Sequence, residues 1–433
     1  MAKKFYILTF GCQMNEYDSE VLESILASDG YIMTDKPEDA DLAVINTCSV
    51  RQKAESRAMA RIGQIAALKK DMPALKVIVA GCMAKRAGQA IIDDLPGVDY
   101  VVGPDYIPEI PDIIASTDSE RVYIDEKAEA TGLARGINPG RVTGFLAITK
   151  GCENYCSYCI VPYVRGSMRS RPSKSIIAEL KILQDMGAKD ITLLGQNVNS
   201  YRDDSLDFPS LLQRIAPDSP SRLRFLTSHP KDMSDELIAC FAELPSLCQS
   251  LHLPLQAGSD KILEVMNRGY TSGHYLGLIN KLRQAAPNIS LTTDLIVGFP
   301  GETDDDFEQT LKLVKEIKYD SAFMFRYSVR PGTKAAELDD DVPEAEKIDR
   351  LNRLIAVQQE ISSEQNTRWI GRSLEVLIEK RSRREPFWPQ GKTRGGQSVL
   401  IKNNDQLNAG DLIMVEIESS KAKTLFGLFE KFA

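Results

Sequence analysis

The chain has 433 residues, of which 43% are hydrophobic and 26% charged, with a formal net charge of −8. That composition belongs to a soluble globular protein too long for a single core, so two to four domains, here three, are expected. No apolar run approaches the roughly 20 residues that cross a bilayer, which excludes a helical membrane protein. The acid excess gives no overall sign of a nucleic-acid partner, although it can conceal a local basic patch.

Near the N-terminus Lys3 and Lys4 lead into Phe5–Phe10 and then Gly11-Cys12-Gln13, without a long apolar segment or cleavage site. This reads as the first strand of a cytoplasmic protein and not as a secretion leader. Strand-like runs at Phe5–Phe10, Leu42–Ile45 and Lys76–Ala80 alternate with helical stretches at Tyr17–Leu26 and Ala54–Leu68. The rhythm predicts an N-terminal parallel α/β domain over residues 1–120. Residues 121–141 mix charge, Gly and Pro and are expected to be a linker.

A second series fills 142–369. Strand candidates are Phe145–Thr149, Ile191–Leu194, Leu223–Thr227, Ser250–Leu255, Ser290–Val297 and Ala322–Tyr327, separated by helical patterns such as Ile176–Met186 and Asp304–Ile317. Six β/α repeats predict an open, partial (β/α)6 barrel with its working residues at the C-terminal strand ends. A polar helix, Glu344–Arg368, is expected on the outside of the barrel. Residues 370–433 return to short alternating runs, Leu374–Ile378, Ser398–Ile401 and Leu412–Ile417, punctuated by glycines, and predict a small all-β barrel.

Eight cysteines in a chain without a leader leave metal, redox or burial as explanations. Cys152, Cys156 and Cys159 form a C-x3-C-x2-C run just after the first barrel strand. Three thiolates on one loop can bind three irons of a [4Fe–4S] cluster and leave the fourth open to an exchangeable ligand. A structural zinc loop is the plainer alternative, but zinc normally takes four protein ligands and no fourth Cys or His lies near in sequence. Cys12, Cys48 and Cys82 each follow a strand of the first domain, and parallel strands put those ends on one edge. A second three-cysteine cluster is expected there, with buried thiols as the alternative. Cys240 and Cys248 sit in apolar surroundings and are assigned to the core. His229 and His252 lie near strand ends, with polar contacts as an alternative, and His274 lies at a helix start or on the surface. Structural roles are expected for all three.

The cysteine loop resembles the signature of the radical S-adenosylmethionine superfamily, in which the aromatic residue before the last cysteine, here Tyr158, lies near the adenine. Nearly the whole chain resembles the methylthiotransferase family within it. That family combines an N-terminal domain with three cluster cysteines, a radical barrel and a C-terminal TRAM domain. The run Gly151–Gly166, then Ser170-Arg171-Pro172 and Leu194–Tyr201, most resembles the branch acting on isopentenylated adenosine beside the tRNA anticodon. The resemblance implies two [4Fe–4S] clusters and two uses of S-adenosylmethionine. One molecule methylates sulfur at the Cys12, Cys48 and Cys82 site. A second is cleaved at Cys152, Cys156 and Cys159 to a 5′-deoxyadenosyl radical that activates adenine C2. It also implies an electron donor and a sulfur source, whose identities the sequence does not give.

Gly195-Gln196-Asn197 stands where the superfamily usually carries Gly-Gly-Glu, which makes Gln196 and Asn197 polar substitutes in cofactor binding. Ser228, Gln256, Arg268 and Asp294 are further cofactor candidates, each with a strand-end cap or ion pair as its alternative. Residues 370–433 carry 11 Lys or Arg against 8 Asp or Glu. Lys380, Arg381, Arg383, Arg384, Trp388, Lys392 and Arg394 combine cations with an aromatic face and are the expected RNA contacts, to the anticodon arm of tRNA. Arg165, Arg169 and Arg171 are candidates for the RNA, the cofactor or ion pairs. Competing readings keep the chemistry on a ribosomal-protein aspartate or on threonylcarbamoyl-adenosine, or make the chain a non-catalytic iron–sulfur module that binds RNA and senses redox state.

Overall fold

The computed structural model describes residues 2–49, 52–127, 141–219, 222–383, 387–402, 406–421 and 423–433. Its N-terminal sheet has six parallel strands, ordered Ile32–Met33, Lys4–Thr9, Leu42–Thr47, Lys76–Gly81, Tyr100–Val102 and Val122–Tyr123. The central strand Leu42–Thr47 is buried at every position, as a parallel strand covered on both faces must be. Ala43, Ile45, Val77 and Val79 pack with Ala58, Ile62 and Ile65 on one side. Val44, Ile78 and Ala80 pack with Leu22 and Leu26 on the other. Register brings the strand ends level: Thr9 lies opposite Asn46, and Thr47 opposite Gly81. Cys12, Cys48 and Cys82 come within three residues of these ends.

The central region folds as two three-stranded parallel sheets. One is Thr143–Ala147, Asp190–Leu194 and Arg222–Phe225; the other is Ser250–His252, Ser290–Val297 and Ser321–Arg326. They are joined where Leu223 bridges Leu247 and where Cys248 N donates to Leu223 O at 2.9 Å. Six β/α units therefore form a partial barrel, open among the described residues between its first and sixth strands. Leu291, Leu295 and Val297 face Phe307, Leu311 and Val314 of helix Asp304–Ile317, so the intervening Thr292, Asp294 and Ile296 line the concave side. Cys240 and Cys248 are buried, as expected. That helix begins at a reciprocal Thr303–Asp306 cap with three aspartates in its first turn, an arrangement that satisfies its free N–H groups and its dipole. Helix Glu344–Thr367 lies along the last strand, where Gln358 Nε2 donates to Tyr319 O at 2.9 Å and buried Arg350 pairs with Glu302 at 2.8 Å.

Residues 373–432 close into a five-stranded barrel, in the order Ser373–Arg381, Pro389–Thr393, Ser398–Ile401, Thr424–Phe432, Leu412–Lys421. Two of these strands were not legible. Pro389–Thr393 opens on a proline and contains Gly391, both poor strand formers, and the alternation in Thr424–Phe432 comes too closely after the preceding strand. No helix among the described residues is long and apolar enough to cross a membrane.

The small barrel docks at the starting ends of the central strands. Fully buried Arg222 pairs with Glu375 at 2.8 Å and donates to Lys392 O at 2.6 Å. Arg224 binds Asp190 at 2.9 Å and donates to Thr393 O at 2.9 Å and Arg394 O at 2.8 Å. Removing one partner of a buried pair leaves the other charged and unpaired, at a cost of several kcal/mol. Because Glu375 keeps some solvent contact, Arg222→Ala should cost about 3 kcal/mol, the lower end of that range. Urea unfolding checks this, and early proteolytic release of residues 373–433 should accompany it. An unchanged unfolding midpoint would refute the anchoring role.

Candidate active site

The first cysteine trio sits on a loop with little freedom. Gly151 has φ +81°, and a Cβ there would overlap the Ser167 and Gly166 carbonyls, so no larger residue fits before Cys152. Gln196 Oε1 accepts from Gly151 N at 2.6 Å, and Cys152 N donates to Gly166 O at 3.1 Å. Asn267 Nδ2 donates to Asn154 O at 3.1 Å and Tyr155 O at 3.0 Å, holding Tyr155 in its left-handed conformation at φ +45°. Arg268, itself buried, donates through Nη1 to Cys156 Sγ at 3.0 Å and to Tyr158 OH at 3.2 Å. Burial opposes its charge, but Tyr158, Tyr270 and Cys156 hold its pKa above the ordinary value. Burial pushes the Cys152 thiol up and the Cys159 thiol up to about 12. These cysteines become thiolates only against a strong positive partner, which is what iron supplies.

The second trio lies where the N-terminal strands end. Gly11 has φ +145°, and a Cβ there would come within 2.8 Å of Cys48 Cβ. Gly81, at φ +94°, would collide with Asn46 Oδ1 and Thr47 O. Beneath them Asn15 Nδ2 donates to Asn46 Oδ1 at 3.0 Å and Thr47 O at 3.1 Å, while Asn46 Nδ2 donates to Asn15 O at 2.9 Å. Asn15 carried no signal in the sequence beyond its place three residues after Cys12. The hydrogen bond with Cys48, aided by the charge of Arg165 and opposed by burial, lowers the Cys12 thiol to about 6. Arg165 Nε donates to Cys82 Sγ at 3.2 Å; burial still pushes the Cys82 thiol up. Among the described residues no three His, Cys, Asp or Glu side chains are grouped as around a single metal ion.

The other cofactor candidates divide. Ser228 Oγ, Gln256 Oε1 and Asn197 Oδ1 are buried without a hydrogen-bond partner, as are Ser157 Oγ and His229 Nε2. Buried polar atoms left open in this way suit a polar ligand. Gln256 and its neighbour in the barrel Thr227 hold left-handed backbones, at φ +72° and φ +67°, conformations that non-glycine residues keep mainly at functional sites. Asn197 Nδ2 donates to Asp232 Oδ2 at 2.6 Å, an acidic neighbour the sequence did not announce. Tyr158 packs edge-on against Phe299, ring centroids 6.5 Å apart. Gln196, expected as a cofactor contact, spends its carbonyl on Gly151 instead. Arg268 is turned to Cys156, and Asp294 lies 3.3 Å from His252 Nε2 on the concave face. His274 begins a helix, exposed.

Of the expected RNA contacts, Lys380, Arg381 and Arg383 are exposed and Trp388 is half-buried beside exposed Phe387. Lys392 pairs with Glu379 at 3.2 Å. Arg394 reaches the Leu247 carbonyl at 3.5 Å, the Pro245 carbonyl and Glu375, so it takes part in the docking contact between domains. Arg384 lies outside the described residues. Arg165, Arg169 and Arg171 are all ion-paired, to Asp18 at 2.8 Å, Asp105 at 3.0 Å and Glu179 at 2.8 Å.

Residues 4–103 match the family described as Uncharacterized protein family UPF0004, and residues 146–314 match the Radical SAM superfamily. A protein of Thermodesulfovibrio yellowstonii named tRNA-2-methylthio-N(6)-dimethylallyladenosine synthase is 44% identical, over 98% of this chain and 97% of its own. The protein of that name from Porphyromonas gingivalis is also 44% identical, over 98% and 94%. Among solved structures, the radical S-adenosylmethionine methyltransferase TsrM from Kitasatospora setae, with cobalamin and a [4Fe-4S] cluster bound, superposes with a TM-score of 0.58. It covers 77% of each chain at 16% identity, a likeness of fold.

Burial, with repulsion from Arg268 and Lys231, drives the His229 pKa down to about 2. The folded chain keeps this ring neutral, whereas the unfolded chain protonates it below about pH 6.5. Its contribution is therefore complete above that pH and is lost progressively as pH falls toward 2. Urea unfolding of the apoprotein should show about 1.4 kcal/mol lost through His229 at about pH 5.5 relative to about pH 7.5. His229→Gln should flatten the slope by that amount, and equal slopes in the two proteins would contradict the assignment.

Proposed function

We propose a function from one premise: the chain belongs to the family of the tRNA-2-methylthio-N(6)-dimethylallyladenosine synthases, radical S-adenosylmethionine methylthiotransferases. It inserts a methylthio group at C2 of N6-dimethylallyladenosine beside the anticodon of tRNA. The observation that carries this reading is the packing of the segment that follows Cys159 against Cys82 of the other α/β domain, with Arg165 of the radical domain hydrogen-bonded to it.

Cys152, Cys156 and Cys159 would hold a [4Fe–4S] cluster, and Cys12, Cys48 and Cys82 a second. Their fit rests on the Cys82, Cys152 and Cys159 thiols that burial pushes up, on the cradles at Gly151, Gly11 and Gly81 that a Cβ would fill, and on the buried polar atoms left open nearby. When bound, the first cluster with S-adenosylmethionine supplies a radical able to take hydrogen from an unactivated C–H bond, and the second holds the sulfur to be transferred. The chain's own work is positioning. Gln196 and Asn267 fix the loop, and Arg268 lends a charged N–H to Cys156. The open groups of Ser228, Gln256 and Asn197 would receive the polar parts of the cofactor, with Tyr158 near its adenine. Adenine C2–H is neither acidic nor electrophilic, so no general base is required.

Lys380, Arg381 and Arg383 with Trp388 would contact tRNA, cations on phosphate and the indole on a base. Nucleoside mass spectrometry of tRNA from a strain lacking the gene tests the acceptor. The dimethylallyladenosine nucleoside should accumulate without its methylthio form and regain it on complementation. Persistence of the methylthio form, with loss instead from threonylcarbamoyl-adenosine or from a ribosomal-protein aspartate, would move the chemistry to another acceptor.

A further inference from the structure

We propose that Arg165 is a positioning residue for the sulfur-bearing site, one that sets the charge felt at Cys82 from the radical domain. The proposal rests on the reading that Cys12, Cys48 and Cys82 hold a cluster. Arg165 ends the short helix Val161–Arg165, which begins two residues after Cys159. Its side chain leaves its own domain and is 3% exposed. Nε donates to Cys82 Sγ at 3.2 Å, and Nη2 lies 2.8 Å from Asp18 Oδ2. Asp18 belongs to helix Gln13–Ser28, which starts directly after Cys12. Ile160 and Val164, on the same short helix as Arg165 or beside it, pack against Cys82. The guanidinium thus pairs with the helix that starts beside Cys12 and binds Cys82 directly, while its own backbone continues from the loop of the first trio.

A structural ion pair alone does not account for this placement. Asp18 occupies one side of the guanidinium, and Nη1 has no hydrogen-bond partner although it is buried. The rigid planar fork holds a carboxylate and a sulfur in one fixed geometry, whereas an ammonium on a flexible stem sets no such geometry. A cation and an N–H placed on a cluster thiolate in a low-dielectric setting favour the more negative, reduced state of the cluster. The Asp18 carboxylate, on the far side, opposes that effect while it holds the guanidinium in place. Arg268 stands in the same relation to Cys156, at 3.0 Å, from within its own domain. Arg165 does so across the domain boundary, so a shift of the radical loop is felt as a change of charge at the sulfur site.

The test uses full-length chain with Cys152, Cys156 and Cys159 all replaced by Ala, reconstituted anaerobically with iron and sulfide so that the remaining trio alone reports. Its midpoint potential is read by a redox titration monitored by electron paramagnetic resonance. Arg165→Gln should lower the potential and Asp18→Asn should raise it, with Arg165→Lys falling between the parent and Arg165→Gln. A residue that served folding alone would not move the potential in opposite senses at the two ends of one ion pair. If Arg165→Gln does not fold, Asp18→Asn and Arg165→Lys decide the matter. Iron bound with an unchanged potential, or both variants shifting the same way, overturns the proposal. Failure of the parent to retain iron overturns the second-cluster reading, and the proposal with it.

Discussion

A buried layer of charge between the N-terminal sheet and the partial barrel is the constraint on which the two-trio arrangement depends. Arg165 pairs with Asp18 and Arg171 with Glu179, while Arg169 and Lys150 share Asp105. Tyr17 joins the layer, accepting from Arg171 at 3.2 Å and donating to Glu179 at 3.4 Å. Burial lowers the Lys150 pKa, and burial would raise that of Asp105, but Lys150 and Arg169 together hold Asp105 below its ordinary value. Pairs of this kind recover their desolvation only when every partner is in place, so they contribute more to a unique docking geometry than to net stability. Arg165, Arg169 and Arg171 come shortly after the Cys152–Cys159 loop in the chain, and Asp18 shortly after Cys12. The interface that joins the domains is therefore built from the flanks of the two cysteine sites.

The strand-end cysteines were legible because the period of a parallel sheet is enough to place them: runs that end together in sequence pattern end together in space. Helix Asp304–Ile317 was legible to the residue, since Thr303 and the three aspartates mark its start. What the sequence hid was pairing between segments far apart in the chain. Nothing near Arg394 announces that Pro245 and Leu247 will receive it, and a cation beside Trp388 in a glycine-rich stretch has the composition of an RNA contact. Gln196 was read from its position at a strand end as a cofactor ligand. Its role in holding Gly151 depends on a loop 45 residues away. Asn15 and Asp232 were missed for the same reason, being ordinary polar residues until their partners are folded against them.

The small barrel rests on the starting ends of the central strands, through Arg222, Arg224 and Ser290. The Cys152 loop lies at the finishing end of the first. Exposed Lys380, Arg381 and Arg383 therefore belong to a body docked on the side away from the chemistry.

On the proposed reading the two cysteine trios divide the labour of the reaction, and one measurement addresses that division directly. The chain with Cys12, Cys48 and Cys82 replaced by Ala is reconstituted anaerobically and given S-adenosylmethionine, dithionite and dimethylallyladenosine-containing tRNA, and both products are quantified. The account predicts that 5′-deoxyadenosine still forms while no methylthio nucleoside appears. Methylthio transfer in the absence of those three thiols, or loss of cleavage with the Cys152, Cys156 and Cys159 cluster intact, would contradict it.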